Sequence, residues 1–182
     1  MLLKNFDEIR KNLKTFEINR EEAISKSREV IKLSKQIIYS LHRNDFKEAS
    51  VDVKKIKDKI KSMSSKHYDT GIVSVAMQEY VEAVCYYEFI KNDKIPSLKE
   101  LNVDAGSYLM GLCDLTGELE RRAVNATIKK NYDEVYKIKI LVEEIYWEFL
   151  KIDIRDNELR RKADAIKWNL KKIDELVLGI KI

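Results

Sequence analysis

The chain has 182 residues, 45% of them hydrophobic, with one proline and five glycines, a composition that gives one domain with a substantial core and argues for helices throughout. Two cysteines and two histidines without a CxxC or Cys/His cluster exclude a disulfide-stapled scaffold and a zinc site. No apolar run reaches the roughly 18 residues a membrane span needs, and MLLKNFDEIRK carries acids where a secretion signal is apolar, so the chain is expected to be soluble, cytoplasmic and away from membranes.

The net charge of +4 is unevenly spread: residues 1–66 hold 17 Lys and Arg against 10 acids, and residues 67–182 hold 18 against 21. A basic first third suits contact with a polyanion, and an acidic remainder suits cations, although lysine-rich helices are often only solvated faces.

Leu3 to His42 is predicted to form one or two helices, with Ile24, Ile31 and Ile38 at heptad spacing and Val30, Ile37 and Leu41 widening the stripe. Arg28, Lys32, Lys35 and Arg43 cluster on one flank of that stripe. They read either as long side chains covering a hydrophobic edge or as a ridge that contacts phosphates. Asn44-Asp45 breaks the pattern and caps a second helix, Phe46 to Met63, and 62–69 reads as a loop. His42 and His67 pair with no acid or cysteine at a motif spacing and read as structural or surface residues.

Gly71 to Ile90 is predicted as a buried helix whose few polar side chains include Glu79 and Glu82 at i and i+3. Cys85, and Cys113 further on, fall within apolar helices and read as buried free thiols. Lys91 to Ser97, with the single proline, is the clearest break between helices. The central helix runs from about Asp104 to Lys130 and sets Ser107, Gly111, Asp114, Glu118, Arg121 and Asn125 on one narrow stripe, with apolar side chains over much of the rest. Gly106, Gly111 and Gly117 suggest close helix contact or room for a ligand. A buried carboxylate costs several kcal/mol unless a cation, a metal or strong donors satisfy it. Packed together, the two helices can bring Glu79, Glu82, Asp114 and Glu118 around hard cations such as Mg²⁺ or Mn²⁺, which take oxygen ligands. Structural salt bridges are the rival explanation, with Arg121 one turn from Glu118.

Tyr132 to Ile152 is a further helix, with Val135, Ile138, Val142, Ile145, Phe149 and Ile152 at alternating spacings of three and four. Asp156 or Asn157 caps the last helix, where Leu159, Ala163, Ile166, Leu170, Ile173, Val177 and Ile180 form a continuous seam able to close a bundle or a subunit interface. Trp147, Trp168, Tyr86 and Tyr87 are expected in the core rather than stacked on bases.

QEYVEAV from Gln78 to Val84 and YLMGLCDLTGELERRAVNA from Tyr108 to Ala126 resemble the translin family, and specifically its translin-associated factor X branch. The resemblance extends to SREVIKLSKQIIYSLHR from Ser27 to Arg43 and to LRRKADAIKWNLKKIDELVLGIKI from Leu159 to Ile182, which is most of the protein. It implies an all-α, single-domain bundle of six or seven helices over residues 1–182, assembling as a closed octameric shell, and an endoribonuclease whose metal-binding catalytic acids fall on Glu79, Glu82 and Asp114, with Glu118 beside them. The translin branch lacks the equivalent Glu pair, which favours the X-type reading. It also matches the spacing of Arg28, Lys35 and Arg43 on the first helix. The family's longer insertion before the central helix is not matched, since only Lys91 to Val103 separates the relevant segments, and its basic N-terminal tail is not expected here.

The expectation is therefore a Mg²⁺- or Mn²⁺-dependent endoribonuclease for single-stranded RNA, in which the ions activate water and no protein nucleophile is needed. The alternatives are a non-catalytic oligomer of the translin type that binds single-stranded RNA or DNA, and a purely structural helical subunit. Self-association is expected, as a homo-octamer or with a second translin-type subunit.

Overall fold

The structure is a computed structural model that describes residues 5–63 and 68–180. Among these residues there are seven helices and no strand: α1 (Phe6–His42), α2 (Phe46–Lys61), α3 (Ile72–Asn92), α4 (Leu98–Leu101), α5 (Ala105–Ile128), α6 (Tyr132–Leu150) and α7 (Asn157–Ile180). The all-α bundle of six or seven helices expected from the sequence is what the chain forms. His67, Leu3 and the middle of the loop at 62–69 lie outside the described residues.

Helix starts follow the expected chemistry. The Asp45 carboxylate accepts from the Glu48 amide, that of Asp104 from Ser107, and that of Asp156 from Leu159, each supplying an acceptor to an otherwise unpaired first-turn donor. The short α4 was not expected. Ser97 and Glu100 cap it reciprocally, and the Ser-x-x-Glu spacing after Pro96 carries that signal.

The packing order puts α3 and α5 at the centre. α1 lies on α2 and α3, α3 on α5, and α5 on α6 and α7. Buried Val30, Ile37 and Leu41 of α1 meet a core that includes Val81, Val84 and Tyr86 of α3 and Leu115 and Leu119 of α5. The α7 seam turns inward, with Leu159, Ile166, Ile173 and Val177 buried, so it closes the bundle. Cys85 and Cys113 are free and buried, and burial pushes both thiols up to about 12. Tyr86 and Tyr87 are core residues as expected, but Trp147 and Trp168 are 56% and 59% exposed. Trp147 lies two residues beyond Ile145, off the buried stripe, while Trp168 lies two beyond Ile166.

Gly111 sets the distance between the two central helices. A Cβ there would lie 2.6 Å from the Val81 Cβ and 2.7 Å from the Gln78 carbonyl oxygen, so α3 and α5 cross in contact at this point. Gly106 and Gly117 are less crowded, with nearest atoms at 3.2 Å and 3.8 Å. The crossing lies one residue before Glu79 and one turn before Asp114.

Candidate functional site

Two of the acids come from each central helix. Glu79 and Glu82 stand one turn apart on α3, Asp114 and Glu118 one turn apart on α5. A pocket of about 380 Å³ is lined by Glu79, Glu82 and Glu118 together with Lys35, Ile38, Tyr39 and Arg121. Asp114 lies outside that lining, and its charge still bears on both glutamates of α3.

Each acid has a different environment. Glu82 is 9% exposed, and burial, reinforced by the charges of Asp114, Glu79 and Glu118, pushes its carboxyl up to about 9. It is therefore protonated at neutral pH. Burial also raises Glu79, against the opposing pull of Lys35, whose ammonium lies 4.0 Å away. Asp114 accepts a 2.5 Å hydrogen bond from Lys162 of α7, which also donates to the Gln78 side-chain oxygen at 3.2 Å. Glu118 is held below the usual carboxylate range, chiefly by its hydrogen bond from His42, with Arg121 3.8 Å away.

His42 meets an acid that no motif spacing shows: its side chain, 7% exposed, lies between Glu118 and Tyr86, 76 residues from the former in sequence. Burial raises the Tyr86 hydroxyl, whose oxygen lies 3.4 Å from His42 Nδ1, while Nε2 meets the Glu118 carboxylate on the other side of the ring. Arg122 fixes the neighbourhood. It is buried, donates to the Leu41 carbonyl at 2.9 Å and to Asn44 at 3.3 Å, and pairs with Glu134 at 2.5 Å, so the end of α1 is clasped to α5 and α6. Local sequence could not show His42 and Lys162 at the site, because their partners are distant in the chain.

The basic ridge lies on the same side of the bundle as the pocket mouth. Arg28, Lys32 and Lys35 on α1 and Arg43 just past its end are all exposed, and with Tyr39 they follow one stripe at spacings of three and four. Lys35 and Tyr39 line the pocket, and the Arg43 guanidinium lies over the Tyr39 ring at 5.4 Å from its centroid.

Four oxygen donors of this kind suit a hard divalent ion, and such an ion would relieve the repulsion among the acids that adds to the burial of Glu82. In the conformation seen, Asp114 is turned to Lys162 and Glu118 to His42. Among the described residues no three His, Cys, Asp or Glu side chains are grouped closely enough to hold a metal. The donor set fits, and its use for an ion requires those two partners to give way.

The model of the Translin family matches residues 18–182. The chain belongs to the translin family. An uncharacterised protein of Methanocaldococcus jannaschii is 34% identical over 161 residues, 84% of this chain and 72% of that protein. The translin-associated protein X of Mus musculus is 24% identical over 89% of this chain and 72% of its own length, whereas human translin aligns over 46% of this chain and 37% of its own, at 29% identity. A crystal structure of apo-NeC3PO superposes with a TM-score of 0.90 at 31% identity, covering 97% of each chain. The resemblance to the X-type branch noted in the sequence thus extends along most of this translin-family chain. Among the described residues no helix is long and apolar enough to cross a membrane.

Proposed function

We propose that this translin-family chain is a metal-dependent endoribonuclease of the cytoplasm that cleaves single-stranded RNA, with Glu79, Glu82, Asp114 and Glu118 holding Mg²⁺ or Mn²⁺. The observation that carries the proposal is the placement of two carboxylates on each of two crossing helices, three of them lining one pocket. Such an ion, when bound, supplies activation of water for attack on the phosphodiester and stabilisation of the departing oxygen. The chain's own side chains supply the rest. Lys35 and Arg121 at the pocket mouth pair with the phosphate flanking the cut, while Lys32, Arg28 and Arg43 hold the backbone further along. Tyr39, 60% exposed among these cations, offers a face on which a base stacks. Glu82 releases its proton as the site charges, and Glu118 exchanges His42 for the ion.

Cleavage of a labelled single-stranded RNA by the purified chain, in Mg²⁺, Mn²⁺ or EDTA, is the direct test. Metal-dependent cuts by the wild type that vanish in the Glu79→Ala, Glu82→Ala double mutant support the nuclease. A second reading, a non-catalytic binder of single-stranded RNA or DNA, is favoured by the protein partners that Asp114 and Glu118 already have. RNA retained but uncut under every metal condition selects it. In either reading the chain self-associates, as a homo-octamer or with a second translin-type subunit.

A further inference from the structure

α7 reaches the acid cluster through one long side chain. Lys162 lies between buried Leu159 and Ile166, at the edge of the face that α7 packs on α5, and its side chain is 23% exposed. Its ammonium is 2.5 Å from Asp114 Oδ2 and 3.2 Å from Gln78 Oε1. The same charge opposes the upward shifts of Glu79 and Glu82, so it acts on the cluster as a whole. Lys162 therefore gives these acids part of what a divalent ion would give them. A lysine and a divalent ion cannot both sit against one carboxylate without strong mutual repulsion.

We propose that Lys162 is a built-in competitor for the divalent ion: it holds Asp114 in the ion-free protein and gives that carboxylate up when the ion binds, keeping Gln78 as its hydrogen-bond acceptor. The inference rests on the metal reading given above. The geometry allows the exchange because Gln78 belongs to α3 and immediately precedes Glu79, so a lysine that leaves Asp114 keeps a hydrogen-bond acceptor at the site. A lysine is suited to this role: its flexible stem and compact ammonium change partners without movement of the helix that carries it.

A salt bridge that only orients Asp114 predicts the opposite response to losing Lys162. Removing an orienting partner weakens ion binding, whereas removing a competitor strengthens it. The test is Mn²⁺ titration of the full chain, followed by the electron paramagnetic resonance of free Mn²⁺ at fixed pH and ionic strength, for the wild type, Lys162→Met and Lys162→Gln. The glutamine variant keeps a hydrogen-bond donor toward Asp114 and removes only the charge, so it serves if the methionine variant fails to fold. Both variants are expected to bind Mn²⁺ on the order of tenfold more tightly than the wild type. Binding only by the variants also supports the inference, since the wild-type lysine would then exclude the ion altogether. Equal or weaker binding by the variants, with the wild type binding, overturns the competitor role and leaves the metal reading standing. No Mn²⁺ binding by any of the three proteins overturns both.

Discussion

At Glu82 the folded protein holds a proton that the unfolded chain releases at neutral pH. Burial and the charges of Asp114, Glu79 and Glu118 raise its carboxyl from 4.5 to about 9. Because the folded value is the higher one, the associated stability is complete below pH 4.5 and is lost progressively as the pH rises towards 9. By pH 7 the loss is about 3 kcal/mol, a large fraction of a typical domain's stability. Glu82→Gln, which keeps the shape and cannot ionise, is therefore expected to raise the melting temperature at pH 8 and flatten its fall between pH 5 and pH 9. Calorimetric scans across that range in EDTA check it; an unchanged pH profile would show that the carboxyl is not buried in this way. On the proposed nuclease reading the same substitution should abolish metal-dependent cleavage, and the carboxyl would then cost stability where it serves function.

At the scale of the helices, the crossing of α3 and α5 decides whether the acids meet. A methyl group at Gly111 would drive into Val81 and the Gln78 backbone, so Gly111→Ala should separate the helices and destabilise the fold by about 1–3 kcal/mol, the usual cost of overpacking. Gly117, whose added Cβ would meet its nearest atom at 3.8 Å, provides the control: Gly117→Ala should stabilise the helix by up to about 1 kcal/mol. Urea unfolding of the two variants, read for opposite shifts of midpoint, tests the assignment, and equal shifts would refute it. This level was largely legible in the sequence, because periodicity and caps are local: the breaks at Asn44-Asp45 and Lys91 to Ser97 and the paired acids on two buried helices could be read directly. The three glycines could not be told apart, since only packing shows which one faces a backbone. His42 and Lys162 were hidden for the related reason that a partner 76 or 48 residues away leaves no mark in local spacing. The exposed Trp147 and Trp168 depart from the expectation because ring size alone does not say which face of a helix is covered.

At the scale of the whole molecule, apolar side chains are open to solvent at two places among the described residues that suit contact with another subunit. The first turns of α1 run ahead of the first buried residue, Ala23, and expose Phe6, Ile9, Leu13 and Ile18. A groove of about 720 Å³ between α3, α5 and α6 is lined by Phe89, Leu112, Leu141 and Phe149, and Ile140 and Ile152 on its wall are exposed. Exposed apolar patches of this kind mark contact surfaces, and their removal from water favours association by about 25 cal/mol per Å². The proposed self-association should therefore depend on them. Ile9→Glu with Leu13→Glu on α1, and separately Ile140→Glu with Ile152→Glu at the groove, are each expected to reduce the mass of the assembly while leaving the helical circular dichroism unchanged. Sedimentation velocity at several protein concentrations reads the outcome. A wild-type chain that sediments as a monomer would refute self-association, and an assembly unchanged in both variants would place its contacts on other faces. If only the α1 variant dissociates, the subunits are joined through the helix that also carries Lys35, Tyr39 and Arg43, and assembly and RNA binding then share one element.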